Sequence, residues 1–108
     1  DAVNQVLLNL TLNSVQSING EGRITVRLKN ESRRGRRLVR VEVEDNGKGI
    51  DTDPEKLFEP FYTTKTSGSG LGLAICKRLV ERHQGWFEVE SEKGRGTVMK
   101  FYLPADQN

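Results

Sequence analysis

Twice in this chain a segment whose apolar residues recur at helical spacing is followed by two segments that alternate apolar and polar residues. That order limits the fold more than any other feature. From Ala2 to Ile18 the residues Val3, Val6, Leu7, Leu10 and Ile18 fall on one face of an amphipathic helix, and Asn19-Gly20 ends it. Ile24, Val26 and Leu28 then alternate with Thr25, Arg27 and Lys29, and Val39, Val41 and Val43 with Arg40, Glu42 and Glu44. These are two half-buried strands, expected to be antiparallel neighbours. A second amphipathic helix is predicted over Leu71 to His83, with Lys77, Arg78, Glu81 and Arg82 on its wet side and Gly85 just past its end. Phe87 and Val89 alternate with Glu88 and Glu90 in a third strand. Met99, Phe101 and Leu103 alternate with Lys100 and Tyr102 in a fourth, before Pro104. Helices and strands grouped in this way predict an α+β protein, a two-layer sandwich with a mixed, mostly antiparallel sheet packed on helices.

With 108 residues the chain suffices for a single domain over residues 1–108 with one modest core. Hydrophobic residues at 34% and charged residues at 30% suit a soluble globular protein, and no apolar run approaches the ~18 residues of a membrane span. Asp1 opens directly into helical sequence, so no signal peptide is expected. Cys76 is the only cysteine, which rules out an internal disulfide, and its apolar neighbours Ala74, Ile75 and Leu79 predict a buried structural thiol. Arg33, Arg34, Arg36, Arg37 and Arg40 crowd around Gly35, but they sit between two alternating segments without aromatic residues for base stacking. A solvated hairpin loop is therefore expected there, not a nucleic-acid patch.

Asp45 is the most informative single residue, because it falls in phase with Val39, Val41 and Val43 and so ends the buried face of its strand. A carboxylate there needs partners. Directly after it, Gly47 and Gly49 in Asn46-Gly47-Lys48-Gly49-Ile50 let the backbone turn sharply and a flat ligand approach. Such an acceptor suits the exocyclic amine of adenine, whereas guanine would oppose two acceptors, a loss of about 1–3 kcal/mol. Gly68-Ser69-Gly70-Leu71-Gly72-Leu73 runs into the second helix and places free N–H groups and a positive dipole end where phosphates could bind. It is not a Walker motif, since no Gly-Lys-Ser/Thr follows, and no strand precedes it as a dinucleotide fold would require. Asn9 and Asn13 share one face of the first helix, with Gln5 and Gln16 on or near the same stripe. Their amide oxygens suit Mg²⁺, which takes most of its octahedron from water and triphosphate, although solvent-facing or capping asparagines would look the same.

Taken in order, Asn9-x-x-x-Asn13, Asp45-x-Gly47-x-Gly49, Phe58-x-x-Phe61 and Gly68-x-Gly70-x-Gly72 resemble the N, first glycine, F and second glycine boxes of bacterial sensor histidine kinases. The resemblance extends through Gln5 to Leu10, Leu57 to Lys65 and Gly94 to Thr97, so nearly the whole chain is covered. It implies the Bergerat ATP-binding fold shared with gyrase and MutL, with ATP and Mg²⁺ as cofactors. Asp45 would hold the adenine amine, Asn13 would ligate Mg²⁺, and Asn9 would support the triphosphate and metal side. Gly47 and Gly49 would flank the base, and Gly68, Ser69, Gly70, Leu71 and Gly72 would lie along the phosphates. Tyr62 to Ser69 looks like the ATP lid, with Lys65 a phosphate contact and with Phe58 and Phe61 anchoring its hinge. Thr97 would help hold a water beside adenine. The Thr63-Thr64-Lys65 run is similar to nitrogen-regulator-type kinases.

Departures are Ser14 for the usual alanine, and Gln84 and Trp86 for a glycine and a small residue after the second helix. The family's N box is usually preceded by further strands, so the chain is expected to be N-terminally incomplete. His83, the only histidine, stands at a helix C-terminus and is expected to be structural. The implied reaction is transfer of the ATP γ-phosphoryl group to a histidine on a separate helical dimerisation domain, with a response regulator as downstream partner. The setting would be cytoplasmic, with any membrane contact through other parts of the protein. The alternatives are a gyrase- or MutL-like ATPase, against which the amide of Asn9 counts where those enzymes use a glutamate, and a non-catalytic nucleotide-sensing module.

Overall fold

The computed structural model describes residues 2–18, 20–50, 54–59 and 72–105. Helix α1 spans Ala2–Ser17, strand β1 Ile24–Arg33, β2 Arg36–Asp45, helix α2 Gly72–Arg82, β3 Trp86–Glu92 and β4 Gly96–Pro104. A 3₁₀ turn occupies Pro54–Phe58. The strands form one antiparallel sheet in the order β1-β2-β4-β3. Val41 and Val43 of β2, Met99 and Phe101 of β4, Val6 and Leu10 of α1, and Cys76 and Val80 of α2 make the core. Both helices therefore lie on the same face of the sheet, as a two-layer α+β sandwich requires. Ser14, at 5% exposure, takes a buried position suited to a small side chain.

The arginine-rich stretch departs from the expected loop. Only Arg34 and Gly35 lie outside the strands, with φ of 51° and 78°, and Arg33 pairs with Arg36 across them. Positive φ at both central residues makes a primed two-residue turn, whose twist matches that of the flanking strands, so the ladder runs on through the arginines. Pro104 likewise closes β4 as its last residue, opposite Leu38 at the sheet end.

The sheet face away from the helices is less open to water than simple alternation implies. Glu42 is 5% exposed and Tyr102 is fully buried. Cross-strand neighbours of long reach cover them. Glu42 accepts from Arg27 Nε at 2.9 Å. Arg40 Nε lies 2.9 Å from its other oxygen as an ion pair. Burial pushes the Glu42 carboxyl up, but Arg27, Arg40 and Lys100 more than offset this and hold it below the usual range. Tyr102 stacks on Trp86 with ring centroids 4.8 Å apart, lies under the Arg33 guanidinium, and donates to Glu88 at 2.8 Å.

Helix α2 ends in a Schellman pattern: the Gly85 N–H donates to Val80 O and the Gln84 N–H to Glu81 O. The left-handed position is Gln84, at φ 62°, not the glycine after it. Gly85 is needed for another reason, since a Cβ there would overlap Tyr102 O. His83 stands exposed in this turn with Nδ1 2.8 Å from Leu79 O.

Candidate nucleotide site

The register of the sheet brings the polar ends of three strands together on the helix-facing side. Asp45 ends the Val39-Val41-Val43 face of β2 and is only 7% exposed. Its direct cross-strand partner is Thr97 of β4, also buried, so the two side chains stand next to each other. Thr97 in turn is paired with Ser91 of β3, and their hydroxyl oxygens are 3.0 Å apart. Asp45 Oδ1 accepts the Gly47 N–H at 2.9 Å, which fixes the carboxylate and starts the glycine turn. A cleft of about 300 Å³ opens at this end of the sheet, lined by Asp45, Thr97 and Gly96 together with Ser91, Glu44, Glu90, Glu92, Arg95 and Val98.

The chain after β2 is tied down on both sides. Asn46 Oδ1 accepts the Arg23 N–H at 2.7 Å and the Asn46 N–H donates back to Arg23 O. Lys48 O accepts the Gly94 N–H at 2.7 Å, and the Ile50 N–H donates to Ser91 Oγ at 2.8 Å. Gly49 has φ 77°, and a Cβ on it would strike the Glu92 carbonyl. Its freedom thus serves a close approach of the glycine turn to the β3–β4 turn. The same holds at Gly96, where a Cβ would overlap Asp45 O.

On α1, Asn9 and Asn13 are half-buried one turn apart. Asn9 stands against Gly72, the first residue of α2: a Cβ at Gly72 would lie 3.7 Å from Asn9 Oδ1. One turn further along α2, the buried Cys76 shares a hydrogen bond with the Asn9 side chain. Burial pushes the Cys76 thiol up and this hydrogen bond pulls it partly back, so the thiol stays protonated and structural. The amide of Asn9 is thereby placed at the N-terminal turn of a helix, where free N–H groups favour anions. Phe58 packs on Phe87, with ring centroids 5.1 Å apart. Lys65, Gly68, Ser69, Gly70, Leu71 and Phe61, and with them the expected lid from Tyr62 to Ser69, lie outside the described residues.

Of the predicted positions, Asp45, Gly47, Gly49 and Thr97 gather at one strand end, and Asn9 and Gly72 meet at the helix pair. Sequence inspection passed over Ser91, Asn46, Gly96 and the contact of Cys76 with Asn9. A signal for Ser91 was present: it falls in phase with Phe87 and Val89, and so ends an apolar face as Asp45 does.

Solved structures share this architecture. The mycobacterial sensor histidine kinase MprB superposes with a TM-score of 0.80 at 30% identity, over 95% of this chain and 70% of that one. The catalytic domain of histidine kinase ThkA does so with a TM-score of 0.80 at 36% identity, over 95% of this chain and 66% of that one. The fold is thus that of histidine kinase catalytic domains. The chain belongs to the histidine kinase-, DNA gyrase B- and HSP90-like ATPase family, whose sequence profile matches residues 1–107. It is 45% identical over 107 residues to the sensor histidine kinase ZraS of Klebsiella oxytoca, covering 98% of this chain and 22% of that protein. It is 41% identical over 105 residues to the signal transduction histidine-protein kinase AtoS of Escherichia coli strain K12, covering 96% of this chain and 17% of that protein. The chain therefore spans about a fifth of the length of these curated relatives. Within the family it is an ATP-binding domain of the sensor histidine kinase kind. Among the described residues, no helix is long and apolar enough to cross a membrane.

Proposed function

We propose that this chain binds Mg²⁺·ATP and presents the γ-phosphoryl group to a histidine on a separate helical domain of a sensor kinase, from which a response regulator is then phosphorylated. The observation that carries this is the pairing of two polar ends in one fold. Asp45 beside Thr97 at the strand ends suits the adenine edge, and Asn9 against the first turn of α2 suits the triphosphate.

The donor set fits Mg²⁺ in kind. Asn9 and Asn13 offer neutral hard oxygens one turn apart, and among the described residues no cluster of three or more His, Cys, Asp or Glu forms a protein cage. A cation that shares its shell with triphosphate and water asks for no more. Asn13 would hold it, with Asn9 on the phosphate side, and the bound ion would neutralise charge on the β- and γ-oxygens. Residues 68–72 would line the phosphates and Lys65 would reach them. Transfer itself needs positioning more than covalent help from this chain. Asn9 cannot take a proton from water at neutral pH, so hydrolysis should be slow beside transfer.

γ-Labelled ATP mixed with the chain and a histidine-bearing dimerisation domain should label that histidine. Tight ATP binding with no label would leave a nucleotide sensor in place of a kinase. Asn13→Ala should lower affinity for Mg²⁺·ATP at least ~10-fold more than affinity for ATP in chelator, because only the former uses the ligand. Equal losses in the two titrations would remove Asn13 as a metal ligand.

A further inference from the structure

We propose that Ser91 sets the hydrogen-bond polarity of the base site by holding the Thr97 hydroxyl as a pure acceptor toward the ligand, which adds selectivity for 6-amino over 6-oxo purines. This rests on the assignment of Asp45 to the adenine amine. A serine hydroxyl has one hydrogen and two lone pairs. Ser91 Oγ accepts the Ile50 N–H at 2.8 Å, lies 3.1 Å from Gly96 O and lies 3.0 Å from Thr97 Oγ1. A carbonyl oxygen can only accept, so the Ser91 hydrogen goes to Gly96 O. The contact with Thr97 is then made with the Thr97 hydrogen, and Ser91 is full, with one bond donated and two accepted.

The consequence falls on the neighbouring strand. With its hydrogen turned toward Ser91, Thr97 offers only lone pairs to the base or to a water that bridges to it. Asp45, its cross-strand neighbour, is an acceptor as well. Two acceptors next to each other match an amine, directly or through a water, and oppose the 6-oxygen that takes its place in a 6-oxo purine. Ser91 also ties the glycine turn, through Ile50, to the β3–β4 turn, so the two walls of the site move as one. It is a positioning residue acting through Thr97, and it need not touch the nucleotide.

ATP and inosine triphosphate, which differ in the 6-amino and 6-oxo groups, are the probes, titrated calorimetrically against the full chain. Ser91→Ala frees the Thr97 hydrogen to donate and should lower the ATP-to-ITP affinity ratio about 5–10-fold. Ser91→Thr, which keeps the hydroxyl, should retain the ratio, and in a Thr97→Val background Ser91→Ala should no longer change it. Equal losses for ATP and ITP in Ser91→Ala, or an unchanged ratio, would overturn the proposal and leave Ser91 a structural residue. Asp45→Asn separates the two levels of the argument. If it weakens ATP while Ser91→Ala leaves the ratio alone, only the role of Ser91 fails. If Asp45→Asn leaves ATP and ITP affinities as they were, the base does not sit at this strand end and both fail.

Discussion

Replacing Asp45 with asparagine is expected to weaken ATP binding more than ~10-fold while leaving the domain folded. The carboxylate is 7% exposed, and Oδ1 already accepts the Gly47 N–H at 2.9 Å. An asparagine is nearly isosteric and can keep that bond with its own oxygen. Its NH₂ then occupies the place of Oδ2 and meets the adenine amine, donor against donor. Loss of a hydrogen bond to a charged acceptor and the unsatisfied donor that replaces it are together worth about 1.5–3 kcal/mol, which is the basis of the ~10-fold figure. Calorimetric titration with ATP measures it, and circular dichroism shows whether the sheet is intact. ATP affinity equal to that of the unmodified chain would remove Asp45 from the base site.

Gly96→Ala should have the largest effect on stability. Gly96 has φ 136°, a region that residues with a side chain rarely enter, and its Cβ would overlap the carbonyl oxygen of Asp45. The backbone term is of order 1–3 kcal/mol. Moving β4 off β2 at the first paired residues adds overpacking strain of similar size, so a loss of about 3 kcal/mol or more is expected. For a domain of this size that lowers the melting temperature by roughly 10–20 °C. Gly94→Ala is the internal control. It too has positive φ, 84°, but nothing lies within 4 Å of its Cβ, so only the smaller backbone cost of about 1 kcal/mol applies. If the two variants melt together, the tight approach of β4 to Asp45 is not a real constraint. Because Thr97 follows Gly96 directly, the same substitution should also impair ATP binding in whatever fraction remains folded.

Both predictions concern one end of the sheet, and the sequence was informative there in an uneven way. Asp45 was legible because its period-2 phase with three valines marked a carboxylate at a core position, where burial without partners is costly. Asn9 and Asn13 were legible as a helical pair, and the glycine boxes by their resemblance to a family. Ser91 carried the same phase signal after Phe87 and Val89, but a serine is inexpensive to expose and common in turns, so the pattern drew no attention. The arginines around Gly35 were assigned to a loop on composition. A two-residue turn with positive φ at Arg34 and Gly35 instead carried the strands through them, and pairing placed Arg33 over Tyr102 and Arg40 beside Glu42. Tyr102 and Glu42 point outward, as alternation predicts, yet side chains from neighbouring strands cover them.

The amino-acid order alone determined where the helices and strands lie, apart from the arginine turn, and which residues are candidates for the chemistry, because periodicity, phase and motif are local properties of a chain. Only the tertiary structure decided who stands beside whom. The order β1-β2-β4-β3 sets Thr97 next to Asp45 and Ser91 next to Thr97, and the packing of α1 on α2 sets Asn9 against Gly72 and Cys76. Register between strands distant in sequence is a global property, selected by burying every apolar face at once, and a site assembled from strand ends exists only after that selection has been made.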